Sequence, residues 1–323
     1  MKLQYPFLQL PLSFDAAVLA AEIDALGESV WRPHPQGFPG NSALPLIAAN
    51  GDAGNDDVRG HMQPTPHLEK MPYLREVLGS LGAVFGRSRL MRLSGQAEVT
   101  PHVDVDYYWR EHIRVHVPIV TQPEVTFYCG PQHVHMAAGE CWIFDTWRTH
   151  KVVNSAERSR IHLVADTVGG TEFWQLVSRS RMPGHAGPWN PTVIAPGTTV
   201  PKLRIESTNV PTVMTPWELR DQLTFILEES RPDPRLGQLH QLASHLGREW
   251  RALWALHGEN EAGWPEYRAV MDQFMRDAEP VSQGLRLQNG VPMMRALLSL
   301  VSNVAVADDP AATKADERSG AMV

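Results

Sequence analysis

Residues 99–120 read VTPHVDVDYYWREHIRVHVPIV, and in them His102 and Asp104 stand one residue apart. On an extended chain alternate side chains leave the same face, so this imidazole and carboxylate project together, about 7 Å apart at their Cα atoms. Such a pair suits two positions around one metal ion. A third donor must come from another segment, and His150 supplies it at the end of GECWIFDTWRTH, just before the strand-like KVVN. Two imidazoles and a carboxylate on one face of an octahedral ion leave three positions open, the facial arrangement of non-haem Fe(II) oxygenases. An H-x-D pair alone is common. Followed at a distance by His inside a region of period two, it is more restrictive. Arg160 lies ten residues past His150, in RSRIHLVAD. Its planar fork suits a carboxylate guest. Arg160, His162 and Val164 share one face of that strand, so Arg160 can point inward while Ile161 and Leu163 pack outward.

The same alternation runs through 112–120. His112, Arg114 and His116 face one way, and Ile113, Val115 and Val117 the other. Period alone permits two arrangements. The polar face may meet water, or the aliphatic face may pack on a second layer while the polar face lines an interior.

These residues need a β framework. From about residue 88 to 170 the period is two, with strands expected at 89–93, 96–101, 112–120, 124–129, 133–136, 141–145, 151–154 and 160–166. Turn signals GPQ (130–132) and AAGE (137–140) separate some of them. Many short strands with close turns predict an antiparallel barrel or jelly roll. Before it, 14–30 carries apolar residues at helical spacing, and 66–88 holds a second helix. Residues 32–65, rich in Pro, Gly, Asn and Asp, read as a loop with the character of a lid.

After it, 183–216 is dense in proline and reads as an extended connection, lying against the barrel or joining it to the C-terminal region. Helical pattern returns at Thr215, an N-cap followed by Pro216 and by Glu218 in capping-box position. Further helices are expected at about 234–257, 264–278 and 291–303. The expected organisation is a jelly-roll domain at 1–182 with N-terminal helices, a connection at 183–215, a helical domain at 216–305 and a disordered tail at 306–323.

Composition sets bounds. With 43% hydrophobic and 20% charged residues the chain can bury an ordinary globular core. A net charge of -7 argues against a nucleic-acid partner, which needs a basic surface. The two cysteines, Cys129 and Cys141, make no disulfide framework and point to a reducing cytoplasm. The start, MKLQYPFLQLPLSFD, reads as neither a signal peptide nor a membrane segment, so no membrane association is expected.

Residues 91–166 resemble the aspartyl/asparaginyl β-hydroxylase family of Fe(II)/2-oxoglutarate oxygenases, which includes bacterial proline hydroxylases. The resemblance rests on PHVD (101–104), RVHVPI (114–119), AGECWIFD (138–145), THKVVN (149–154) and SRIHLVAD (159–166), five pieces in the family's order. It implies a mainly β, double-stranded β-helix (cupin-like) barrel. It implies Fe(II) held by His102, Asp104 and His150, with 2-oxoglutarate held by Arg160 and by the Arg-x-His pair Arg114 and His116, which would point into the barrel. O2 is the further co-substrate. The expected activity is hydroxylation of an amino acid, free or carrier-bound, or of a peptide side chain. Two alternatives stand beside it. One is a cupin-like dioxygenase or isomerase without 2-oxoglutarate, which would not need Arg160. The other is a non-catalytic scaffold or sensor on the same barrel. The C-terminal helices could carry a homodimer contact. Asp106, Tyr107, Tyr108, Trp109 and Arg110 are candidates for a substrate-facing rim, and Asp145 and Arg148 for support of the distal histidine. His133 and His135 share a face but lack a nearby carboxylate and read as structural or exposed.

Overall fold

The computed structural model describes residues 1–34, 37–198 and 200–307. The expected tail at 306–323 therefore lies almost wholly outside the described residues. The chain divides into two compact units, Met1–Asp104 with Tyr108–Asn209, and the chain from Val210 onward with Val105–Tyr107.

Among the described residues the first unit is built on fourteen strands. They are β1 (Phe7–Phe14), β2 (Arg32–Pro33), β3 (Asn41–Ala49), β4 (Met62–Pro64), β5 (Val84–Leu93), β6 (Ala97–His102), β7 (Ile113–Val120), β8 (Val125–Cys129), β9 (Gln132–Val134), β10 (Glu140–Phe144), β11 (His150–Asn154), β12 (Arg160–Gly169), β13 (Thr192–Ile194) and β14 (Arg204–Ile205). A large sheet runs β13-β1-β10-β7-β12-β5-β3-β2, with β14 on β5 and β4 on β3; a smaller one runs β6-β11-β8-β9. Side chains of both sheets meet in one apolar cluster, Phe7, Trp142 and Phe144 from the large sheet against Val125, Phe127 and Val152 from the small one. The two sheets thus pack face to face as a double-stranded β-helix.

The outer face of the large sheet decides which way the two faces of β7 point. Ile113, Val115, Val117 and Ile119 of β7 join Leu163 and Ala165 of β12 in the main core. Over them lie helices α1 (Ala16–Asp24), α2 (Pro66–Glu69), α3 (Pro72–Ser80) and α5 (Thr171–Ser178), whose Leu19, Leu68, Leu74 and Phe173 enter the same core. The opposite faces of β7 and β12, with Arg114, His116, Arg160 and His162, look into the space between the sheets. A short helix α4 (Tyr107–Glu111) comes after the H-x-D stretch.

Residues 84–88, expected within the helix at 66–88, begin strand β5 instead, and two further segments depart from expectation. Residues 41–49 are not loop but the full-length strand β3, paired with β5 through Ala43↔Met91 and Leu44↔Leu90. Seven of its nine residues, from Ala43 onward, are buried on both faces, so no alternation marks it, and Pro45 mimics a loop signal. The second is β1, which the period-two pattern does not mark; it pairs with β10 through Leu8↔Ile143. The proline-rich stretch lies against the large sheet through β13 on β1 and β14 on β5.

Asn154 closes the turn from β11 to β12. It is fully buried, its amide donates to the carbonyls of Leu93, Ser94 and Arg158 at 2.9–3.2 Å, and its oxygen accepts from Ala156. Asn154→Ala strands those groups away from water, so a stability loss of about 2–3 kcal/mol is expected, read as a lower urea midpoint at unchanged slope.

The second unit is helical: α6 (Pro216–Glu228), α7 (Leu236–His257), α8 (Trp264–Ser282) and α9 (Met293–Leu297). The Thr215 hydroxyl caps α6 by accepting from the Glu218 amide at 3.2 Å. The Glu218 carboxylate accepts from the Tyr107 hydroxyl rather than completing a capping box. Leu239, Leu246 and Trp250 of α7 are buried at helical spacing, and Trp250 packs on Tyr267 of α8 with ring centroids 4.6 Å apart. No helix among the described residues is long and apolar enough to cross a membrane.

Candidate active site

His102 ends β6 and His150 begins β11, and the ladder sets them directly opposite each other. Cross-strand neighbours in such a position bring their side chains together, and the two rings lie 4.2 Å apart. Asp104 comes two residues after His102. Its amide donates to Thr146 at 3.2 Å, which ties it to the turn that delivers His150. One ligating atom from each of His102, Asp104 and His150 lies within 4.8 Å of the others.

Both histidines are prepared by the same local device. His102 Nδ1 lies 2.8 Å from the Thr100 carbonyl, and His150 Nδ1 lies 2.9 Å from the Arg148 carbonyl. A carbonyl only accepts, so Nδ1 carries the proton and each Nε2 presents a lone pair. Those Nε2 atoms face the carboxylate, at 3.8 Å from Asp104 Oδ1 and 3.9 Å from Oδ2. His150 Nε2 has no hydrogen-bond partner among the described residues. Burial pushes His150 down to about 4, so it is neutral at neutral pH and needs no proton removed to bind a cation.

Burial alone would raise the Asp104 carboxyl. Arg114, His150 and His102 outweigh it and hold Asp104 below the usual range. Arg114 is the main agent, bridging Asp104 and Asp166 at 3.1 Å each. Its guanidinium lies 4.2 Å from the Trp109 ring. Arg114, expected at the co-substrate, is thus engaged by two carboxylates and braces Asp104 in place. Arg114→Met should destabilise the metal-free protein by about 3–5 kcal/mol at neutral pH, since it leaves the enclosed Asp104 carboxylate without its cation while Asp166 keeps Arg87. The sign with pH comes from Asp104. A depressed folded pKa contributes stability above the unfolded pKa and loses it as pH falls, so the gap between variant and wild type should narrow below about pH 4. Urea titrations across pH measure it.

Further along the interior lies a second polar group. Arg160 is 4% exposed, and its Nε and Nη1 have no partner among the described residues. Burial pushes it down to about 9. His116 and His162 are also buried, 5.8 Å apart, and none of their four ring nitrogens has a partner among the described residues. Burial holds both imidazoles well below their ordinary value, hence neutral. Phe127 and Phe144 pack around this group, and Phe144 also touches His150 at 5.0 Å. Each buried polar atom without a partner costs about 1–3 kcal/mol, and a buried cation more. Such a cluster fits an anionic guest.

Beyond Val164 the interior is cationic again. Arg87 and Arg89 of β5 are buried with Arg114 around Asp166, and burial followed by the charge of Arg87 pushes Arg89 down to about 9. Sequence reading missed Arg87, Arg89 and Asp166. Alternation from Met91 would have placed both arginines inside, had β5 been extended back to Val84.

The remaining candidates sit elsewhere. His112 stands just before β7, where it contacts Glu206 at 2.7 Å and stacks on Tyr108. Asp145 accepts from Arg148 and from the Trp147 amide, shaping the turn before His150. His133 stacks near Tyr128, and His135 contacts the Val125 carbonyl.

Residues 53–169 match the family model for aspartyl/asparaginyl β-hydroxylase, a span that contains all three clustered donors and Arg160. Two curated relatives from Streptomyces are similar. L-proline cis-3-hydroxylase 1 is 33% identical over 132 residues, 38% of this chain and 45% of that protein. L-proline cis-3-hydroxylase 2 is 30% identical over 178 residues, 49% of this chain and 56% of that protein. The chain thus spans about half the length of the curated relatives it matches. A solved Pseudomonas putida prolyl-4-hydroxylase overlaps loosely, with a TM-score of 0.35 and 15% identity over 51% of this chain and 92% of that one.

Proposed function

We propose that this protein is an Fe(II)- and 2-oxoglutarate-dependent hydroxylase acting on an amino acid, free or carrier-bound, or on a peptide side chain. The observation that carries the reading is Arg160, a buried guanidinium with two nitrogens unpartnered among the described residues, on the same interior as a prepared His-Asp-His set. The donor set, two imidazoles and one carboxylate, suits Fe(II) and leaves room for further ligands. When bound, iron with 2-oxoglutarate and O2 supplies the oxidising power, giving succinate, CO2 and a new C–O bond.

The chain's own residues do the rest. His102, Asp104 and His150 hold the ion, and the Thr100 and Arg148 carbonyls fix the two rings. Arg114 keeps Asp104 ionised and aimed. Arg160 grips the far carboxylate of 2-oxoglutarate, and His116 adds a neutral N–H beside it. Phe127 and Phe144 wall the co-substrate from water, which strengthens each polar contact inside. Arg87 and Arg89 make the opposite end cationic, where an anionic group of the substrate would settle. Relatives named as proline hydroxylases favour a small amino acid as substrate.

The test is succinate release with Fe(II) and 2-oxoglutarate over a panel of free amino acids, carrier thioesters and peptides. Substrate-dependent succinate supports the reading. Substrate turnover that is indifferent to 2-oxoglutarate would replace it with a barrel enzyme of another kind.

A further inference from the structure

The co-substrate reading uses Arg160 and His116 and leaves His162 without a task. His162 is 1% exposed, lies two residues after Arg160 on β12 and shares its inward face. Its ring stacks on Phe127 at 5.6 Å, and Phe127 also carries the Arg160 guanidinium at 5.3 Å. Neither ring nitrogen has a partner among the described residues. An aliphatic side chain would fill this position at no polar cost, as Val164 does next along the same face. A histidine held there with both nitrogens unmet is suited to a guest that accepts hydrogen bonds.

We propose that His162 is a specificity-determining residue for the co-substrate: its N–H donates to the far carboxylate of 2-oxoglutarate, completing a clamp with Arg160 and His116. This rests on the reading of the site as a 2-oxoglutarate site. The charge count favours the arrangement. Arg160 brings one positive charge, which one carboxylate balances. Two further donors are useful only if they add no charge, and a neutral imidazole offers one N–H without any. A carboxylate has lone pairs enough for a guanidinium fork and two more donors. A dianionic head such as phosphate would stay unbalanced in the same clamp. His162 thus helps select a carboxylate at the far end, whereas iron reads only the keto-acid end.

The experiment is calorimetric titration of the Zn(II)-loaded full chain, without O2, with 2-oxoglutarate and with 2-oxobutyrate, which keeps the keto acid but lacks the far carboxylate. His162→Leu should bind 2-oxoglutarate roughly tenfold more weakly than wild type, the scale of one hydrogen bond to a charged group. It should bind 2-oxobutyrate as wild type does. At least one of His162→Gln and His162→Asn, each of which returns an amide N–H, should keep most of the affinity. Unchanged 2-oxoglutarate affinity in His162→Leu, or an equal loss for both acids, would overturn the proposal while leaving the co-substrate reading intact. Wild type that does not bind 2-oxoglutarate would overturn both. Should His162→Leu not fold, the wild type still decides: 2-oxoglutarate, but not 2-oxobutyrate, should shift the ring-nitrogen resonances of His162, and their failure to move refutes the contact.

Discussion

His150→Ala should abolish iron retention and turnover together. His150 is the most enclosed of the three donors, 4% exposed against 35% for the His102 side chain. Its ring is already neutral and already turned, so its loss takes a prepared donor out of the cluster. Two donors remain on one edge of the site, and the ion should be held more weakly by at least roughly two orders of magnitude, beyond what disturbing a ligand's supporting contact costs. The measurements are iron content after gel filtration and succinate formed with iron in excess. His133→Ala is the control, a histidine on the same small sheet outside the donor cluster, and should change neither. Normal iron content in His150→Ala would move the ion, and the whole site, elsewhere.

The second large effect concerns Arg160, where function and stability should part. A buried cation without a counter-charge destabilises the free protein. Arg160→Leu should therefore leave the metal-free, co-substrate-free protein as stable as wild type or more so. The same change should abolish the rise in melting temperature that 2-oxoglutarate gives the metal-loaded wild type, because a ligand stabilises only the state it binds. Arg160→Lys keeps the charge but not the fork. It should raise the 2-oxoglutarate requirement by one to two orders of magnitude, matching a loss of ~1.5–3 kcal/mol of charge-assisted hydrogen bonding. Iron content should stay near normal in both variants. If Arg160→Leu unfolds more easily than wild type and still responds to 2-oxoglutarate, Arg160 serves packing and not the co-substrate.

What could be read from the sequence was local. His102 and Asp104 share a face because strands have period two, and the aliphatic and polar faces of β7 were visible in the same way. Which face looks inward was not visible, because it depends on helices α1 and α3 covering Val115 and Val117. The placing of His102 opposite His150 is a matter of register between β6 and β11, strands separated by nearly fifty residues, and no local pattern encodes it. β3 was lost for a related reason. A strand buried on both faces has no alternation to show, and its proline counted against it. Arg114 was legible as a residue of the polar face of β7, but its grip on Asp104 and Asp166 was not, since Asp166 reaches it through the pairing of β7 with β12.

The two ligand strands differ in how firmly they are sewn into the sheet. β11 is hydrogen-bonded on both sides, to β6 and to β8, whereas β6 lies at the margin with β11 as its single partner among the described residues. Margins fray sooner than interiors. An ion leaving the site should lose its bond to His102 first, while His150 and Asp104 still hold it, and an arriving ion should meet those two before His102 closes over it. On the proposed reading, the lifetime of a bound metal would be governed by the opening of one marginal strand, a clock distinct from the strength of the three bonds themselves.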